Sequence, residues 1–193
     1  MQDFFRRRAT YADLEAVSPL LVAEIIDGEL VTQPRPAPKH AVSYSVLGTV
    51  INGPFQLGRG GPGGWWILDE PELHLAKDVL VPDLAGWRKE RMPRMPDTAY
   101  FELPPDCVCE IVSPSTARHD RGAKRDIYGR HGVKHIWHVD PDARLLEAFE
   151  LMPDGRWTLL KAYRDNDLID AAPFGEAPFE LGDLWPPEPD EAK

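Results

Sequence analysis

The sequence predicts an α/β (α+β) fold, a mixed β-sheet flanked by helices. Three observations carry this. Apolar runs of strand length recur from Trp65 to Tyr163. Two longer segments have helical spacing or polarity. The order reads helix, several strands, helix, strands. At 193 residues the chain suits one domain, expected over 1–186, with 187–193 as a disordered tail of Pro, Glu and Asp.

Thr10 can cap a short helix to about Val17, with Asp13 in the capping-box position. Val22–Ile26 and Glu29–Gln33 flank Asp27-Gly28, a strong hairpin signal. Pro34-Arg-Pro-Ala-Pro38 is a stiff connection, and His40 to about Gln56 follows as a helix. Gly58–Gly64 is a flexible loop. Trp65–Leu68 and Pro71–Leu75 read as strands, and Val79–Trp87 as a third, interrupted by Pro82. Asp106–Ser113 suits a buried strand. Thr116–His131 is a polar helix with Ile127 and Tyr128 inward, stopped at Gly132. Val133–Val139, Leu145–Leu151 and Trp157–Tyr163 complete the strands, the last two joined at Pro153-Asp154-Gly155.

Hydrophobic residues are 42% of the chain, enough for a core, and no run approaches the roughly eighteen apolar residues of a membrane helix. The charged start has no apolar h-region behind it, so no signal peptide is expected. Cys107 and Cys109, the only cysteines, share one strand face; they read as buried thiols of a cytoplasmic protein. The net charge of −10 works against contact with phosphates. One basic stretch stands out: Arg118, His119, Arg121, Lys124, Arg125, Arg130, His131 and Lys134. It reads as a local phosphate-facing surface or as a solvated helix face.

Three residues form a candidate acidic-acidic-basic set. Glu110 lies in an apolar strand, where a carboxylate is costly to desolvate without a cation or donors. Asp83 follows Pro82 on a neighbouring strand. Two such carboxylates make the hard-oxygen site that Mg²⁺ or Mn²⁺ takes, waters and phosphate completing the shell. Lys124, on the following helix, could orient a water and offset charge in a phosphoryl transition state, or be an exposed lysine paired with Asp120.

The ordered pieces Glu24-Ile-Ile-Asp-Gly-Glu29, His40, Val81-Pro-Asp83, Glu110-Ile-Val-Ser-Pro-Ser115, Asp120-Arg-Gly-Ala-Lys124, Tyr128, Gly132-Val133 and Ile136-Trp-His-Val-Asp-Pro141 resemble the Uma family of restriction-endonuclease-type proteins, a branch of the PD-(D/E)XK nuclease superfamily. With Leu184-Trp185 the resemblance covers about residues 10–186. It implies a restriction-endonuclease-like fold with an extra C-terminal β-hairpin. It also implies a metal-dependent endonuclease acting on DNA, double-stranded by expectation, with Asp83, Glu110 and Glu24 on the metal. The superfamily lysine would stand two residues after Glu110, where this chain has Val112; the resemblance puts Lys124 in its place. Glu29 competes with Glu24, His40 could bind phosphate or a carboxylate or cap its helix, and Ser115 is expected to N-cap the helix of Lys124.

Two other readings stand beside the endonuclease. A nuclease-fold module that binds without cutting would suit the acidic net charge. A nucleotide hydrolase finds no support, because the Gly58–Gly64 loop lacks the Lys-Ser/Thr of a P-loop and precedes a strand. A homodimer would serve double-strand cleavage, with Trp65 and Trp66 as core or interface.

Overall fold

The computed structural model describes residues 7–186. The expectations for the charged start and for the tail 187–193 fall on residues 1–6 and 187–193, outside the described residues.

Helix α1 (Tyr11–Glu15) begins at Thr10, whose backbone N–H and hydroxyl both donate to the Asp13 carboxylate at 2.7 Å. Strands β1 (Leu21–Ile26) and β2 (Glu29–Pro34) pair antiparallel about Asp27-Gly28. Both turn residues have positive φ, 51° and 84°, which a tight hairpin demands and Asp-Gly tolerates. Helix α2 (Pro38–Ile51) starts with proline in its first turn and runs into a wide turn, Asn52–Gln56.

The stretch expected as one strand, Val79–Trp87, is two strands in different sheets. β5 (Asp78–Leu80) joins a four-stranded sheet, order β2-β1-β5-β4, with β4 spanning Leu73–Leu75. β6 (Leu84–Arg88) pairs with β3 (Trp65–Asp69) and β7 (Cys107–Ile111) in a six-stranded sheet. The cause is Pro82, which has no N–H to give a ladder, so the chain leaves one sheet and enters the other there. Asp83 consequently sits at the seam between the sheets.

After β7 a helical segment with a wide turn, His119–Lys124, kinks at Gly122 (φ −118°, ψ −106°) and continues as α3 (Arg125–Arg130). Gly132, at φ 75°, ends it. Ser115 is not its cap: the carbonyl of Ser113 accepts the first helical N–H, from Ala117, and Thr116 Oγ1 accepts the N–H of Ser113. β8 (His135–Asp140) returns parallel to β7, so Glu110 lies opposite His138. β9 (Leu145–Leu151) and β10 (Trp157–Arg164) form the C-terminal hairpin and extend the sheet, order β10-β9-β8-β7-β6-β3. The short pair β11 (Leu168–Ile169) and β12 (Phe179–Glu180) was not foreseen; two residues carry no periodicity.

Side chains alternate along β7 as a strand requires. Cys107, Cys109 and Ile111 enter one core with Leu47, Ile51 and Trp137; Val108 enters the other with Ile127, Tyr128 and Leu80. Both cysteines are free and buried. Trp65 is fully buried in the first core, which removes it as an interface residue, while Trp66 is half-buried under Lys89. Among the described residues no helix is long and apolar enough to cross a membrane.

Candidate active site

Glu110 points to the face of β7 covered by the helix that follows. Its carboxylate is about as deeply buried as the apolar residues beside it. Lys124 comes down from that helix, and its ammonium is 2.9 Å from Glu110 Oε1 and 3.0 Å from Glu24 Oε1. The reading of Lys124 as an exposed helix lysine is therefore wrong, since its side chain is 2% accessible. Asp120, one turn earlier, contributes a third carboxylate at 3.6 Å. Tyr128, one turn later, donates its hydroxyl to Glu110 Oε1 at 2.7 Å. Positions 120, 124 and 128 repeat every four residues, which puts them on one helix face.

Glu24 arrives from β1 and takes the Val81 N–H on Oε1 at 2.8 Å. It is buried, whereas its competitor Glu29 is exposed on β2. Asp83 reaches the same place from the seam: the N–H of Ile111, next to Glu110, donates to its Oδ2 at 2.7 Å, and His40 Nε2 lies 3.5 Å from Oδ1. His40 thus faces a carboxylate from the first turn of α2. All of these except Glu24 and Tyr128 line a cleft of about 370 Å³, bounded by Gln33–Ala37 on one side and Ser113–Thr116 on the other.

The charges are unequal, one lysine among several carboxylates. Burial would lower the Lys124 pKa, but Glu110 and Glu24 outweigh it and hold the ammonium above the ordinary lysine range. Burial, helped by Asp120, Asp83 and Glu24, pushes the Glu110 carboxyl well up despite Lys124. Burial also raises Asp83, to about 7, against the Ile111 N–H and Lys124. Burial lowers His40, and it pushes Tyr128 up with help from Glu110.

Three members of the basic stretch are held in ion pairs within the chain, while Arg118 and Lys134 are exposed. Arg121 pairs with Glu147 and Asp140, Arg130 with Asp27 and Asp78, and Lys124 is buried.

Residues 8–182 match the profile of the Uma2 family, described as "putative restriction endonuclease". The chain belongs to the Uma2 family. Among solved structures this Uma2 protein is similar to a putative nuclease of the DUF820 group from Anabaena variabilis. The two share 23% identity and a TM-score of 0.69, over 84% of this chain and 89% of that one. At that identity the likeness bears on the fold, which is shared. No curated protein matches this chain.

Sequence reasoning named Asp83, Glu110, Lys124, Glu24 and His40, and the fold brings them together. It gave no role to Tyr128, although the four-residue step from Lys124 was the available signal. The donors are hard carboxylate oxygens of the kind a divalent ion takes. Among the described residues no three His, Cys, Asp or Glu side chains converge closely enough to hold an ion unaided. The ammonium of Lys124 fills the point between Glu24, Glu110 and Asp120.

Proposed function

We propose that this Uma2 protein is a metal-dependent endonuclease that hydrolyses phosphodiesters of double-stranded DNA. One observation carries the reading: a buried lysine drawn between two carboxylates, with Asp83 alongside, at the floor of an open cleft. A purely structural ion pair gains nothing from extra buried carboxylates, since each unpaired charge costs free energy.

Asp83 and Glu110 are the residues that would hold Mg²⁺ or Mn²⁺, with waters and a substrate phosphate completing the shell, the usual arrangement for Mg²⁺. Glu24, the third carboxylate of the set, has Oε1 engaged with Lys124 and Val81, so only its other oxygen could reach the ion. The metal would supply charge neutralisation at the phosphate and a more acidic bound water. The residues of the chain do the rest. Glu24, Glu110 and Asp120 fix the Lys124 ammonium, which orients the attacking water and offsets charge on the phosphoryl oxygens. The Ile111 N–H holds Asp83 in place. Tyr128 fixes the rotamer of Glu110 by binding Oε1, leaving Oε2 for the cleft. A homodimer would present two such clefts to the two strands of a duplex.

A second reading, a nuclease-fold module that binds without cutting, draws on the net charge of −10 and on the ion-paired basic helix. Incubation of supercoiled plasmid with Mg²⁺ or Mn²⁺ separates the two. Nicked and linear product that disappears with chelator, and in Asp83→Ala and Lys124→Ala proteins, is the expected result. Equal cleavage by those variants would identify a contaminant, and metal-independent binding without cleavage would favour the second reading.

A further inference from the structure

The cleft presents a problem of charge. Among the described residues its lining carries four carboxylates, Glu70, Asp83, Glu110 and Asp120, against two permanent cations, Lys124 and Arg35. Lys124 is buried on the floor and paired with its own carboxylates. That leaves Arg35 as the permanent cation at the mouth.

Arg35 stands between two prolines, Pro34 and Pro36, where β2 ends. Fixed φ values on either side limit how far its backbone can wander. Its side chain is held loosely. One guanidinium nitrogen is 3.6 Å from Glu70 Oε2, and the other donates to the Pro19 carbonyl at 3.3 Å. Both partners of the ion pair are well exposed, 58% for Arg35 and 38% for Glu70, so water screens it and it is weak.

Glu70 is held firmly by comparison. Its φ is 44°, a left-handed value uncommon outside glycine, and its N–H donates to the carbonyl of Asp83 at 2.9 Å. Residues kept in such conformations gather at ligand sites, where the surrounding structure enforces them. Here the enforced geometry carries a carboxylate to the rim of the cleft, tied through the backbone to the candidate metal ligand Asp83.

We propose that Arg35 binds a backbone phosphate of the nucleic-acid substrate at the mouth of the cleft, and that Glu70 is the carboxylate it exchanges for that phosphate. The proposal rests on the nucleic-acid reading of this cleft. A guanidinium offers a planar fork to two phosphate oxygens, a stronger and more directional contact than a screened carboxylate pair. In the absence of substrate, Glu70 occupies the fork. When a phosphate enters, the fork turns to it, and the freed Glu70 carboxylate is exposed enough to be solvated at little cost. Arg35 thereby places a phosphate near the rim while Lys124 and the carboxylates act on the floor.

Opposite signs test this. Binding of a fluorescein-labelled DNA duplex is followed by anisotropy with Ca²⁺ in place of Mg²⁺, across a series of salt concentrations. Arg35→Ala should weaken binding about tenfold and flatten the dependence of log affinity on log salt by about one unit. Arg35→Lys should fall between Arg35→Ala and the wild type, because it keeps the charge and loses the fork. Glu70→Gln removes the competitor and should tighten binding about threefold. Unchanged melting midpoints in all three would show that none acts through folding. If Glu70→Gln weakens binding, or Arg35→Ala leaves affinity and salt slope unchanged, the proposal is wrong while the nuclease reading survives. If the variants respond as stated but the wild type never cleaves DNA with Mg²⁺ or Mn²⁺, the nuclease reading fails and this one stands. Absence of duplex binding by the wild type overturns the proposal.

Discussion

Two ionic clusters tie the helical segment after β7 to the four-stranded sheet, and they are built on different principles. At its C-terminal end, Arg130 reaches Asp27 and Asp78, and Lys77 joins Asp27. Two cations there meet two carboxylates, and Asp78 also accepts the Asp27 N–H. That cluster is balanced and half open to water. Nearer the start of that segment, Lys124 faces Glu24, Glu110 and Asp120, almost sealed from solvent. The balanced cluster is what docking an element requires. The unbalanced one gathers more acidic groups than cations in a place where their ionisation costs stability, which makes sense when something positive is to be bound there.

The difference can be broken from either side. Lys124→Met should cost about 3–5 kcal/mol of unfolding free energy in urea, because it strips from buried carboxylates the cation they pair with. A loss under 1 kcal/mol would mean that those groups are not charged in the folded state.

A smaller effect should appear with pH at His138, behind the unbalanced cluster. Burial, aided by Arg121 and Arg125, pushes its imidazole down to about 3. The folded value lies below the unfolded one, so the unfolded chain takes up the proton first. The His138 contribution is intact above pH about 6.5 and is lost as pH falls toward 3, by up to about 1.4 kcal/mol per pH unit. Urea unfolding of the wild type and of His138→Gln at pH 7 and pH 5.5 isolates it: the raised Asp83 carboxyl acts in the opposite sense in both proteins, and on going to pH 5.5 the wild type should fare worse than the variant. An unchanged slope in that variant would place the sensitivity elsewhere.

The smallest effect belongs to the balanced cluster. Arg130→Ala should cost only about 0.5–1 kcal/mol by urea unfolding, given its half-exposed pairs. It should cleave plasmid as the wild type does. Loss of cleavage there would erase the contrast between the two clusters.

The fold was largely legible in the sequence because its elements obey simple periods. The Asp27-Gly28 hairpin, the apolar run of β7 and the Gly132 stop all follow from local chemistry. The split at Pro82 was half legible: proline forbids a ladder bond, but nothing local says that the chain changes sheets. The Lys124 site was legible in part. Glu110 could be singled out by its apolar neighbours, and it is buried. Lys124 could not, since a lysine on a polar helix looks the same whether it points out or in. Its direction is set by the kink at Gly122 and by carboxylates from three distant elements. Arg35 and Glu70 meet only through tertiary structure, so no spacing announces them.

The unbalanced cluster is built for chemistry and not for folding. Glu110→Gln tests it most directly, with plasmid cleavage and urea unfolding measured on the same preparation. The substitution keeps shape and removes the ionisable carboxyl that burial already pushes toward its neutral form. Cleavage with Mg²⁺ or Mn²⁺ should fall at least about a hundredfold while stability stays the same or rises. Retained cleavage, or lost cleavage accompanied by a large loss of stability, would contradict it.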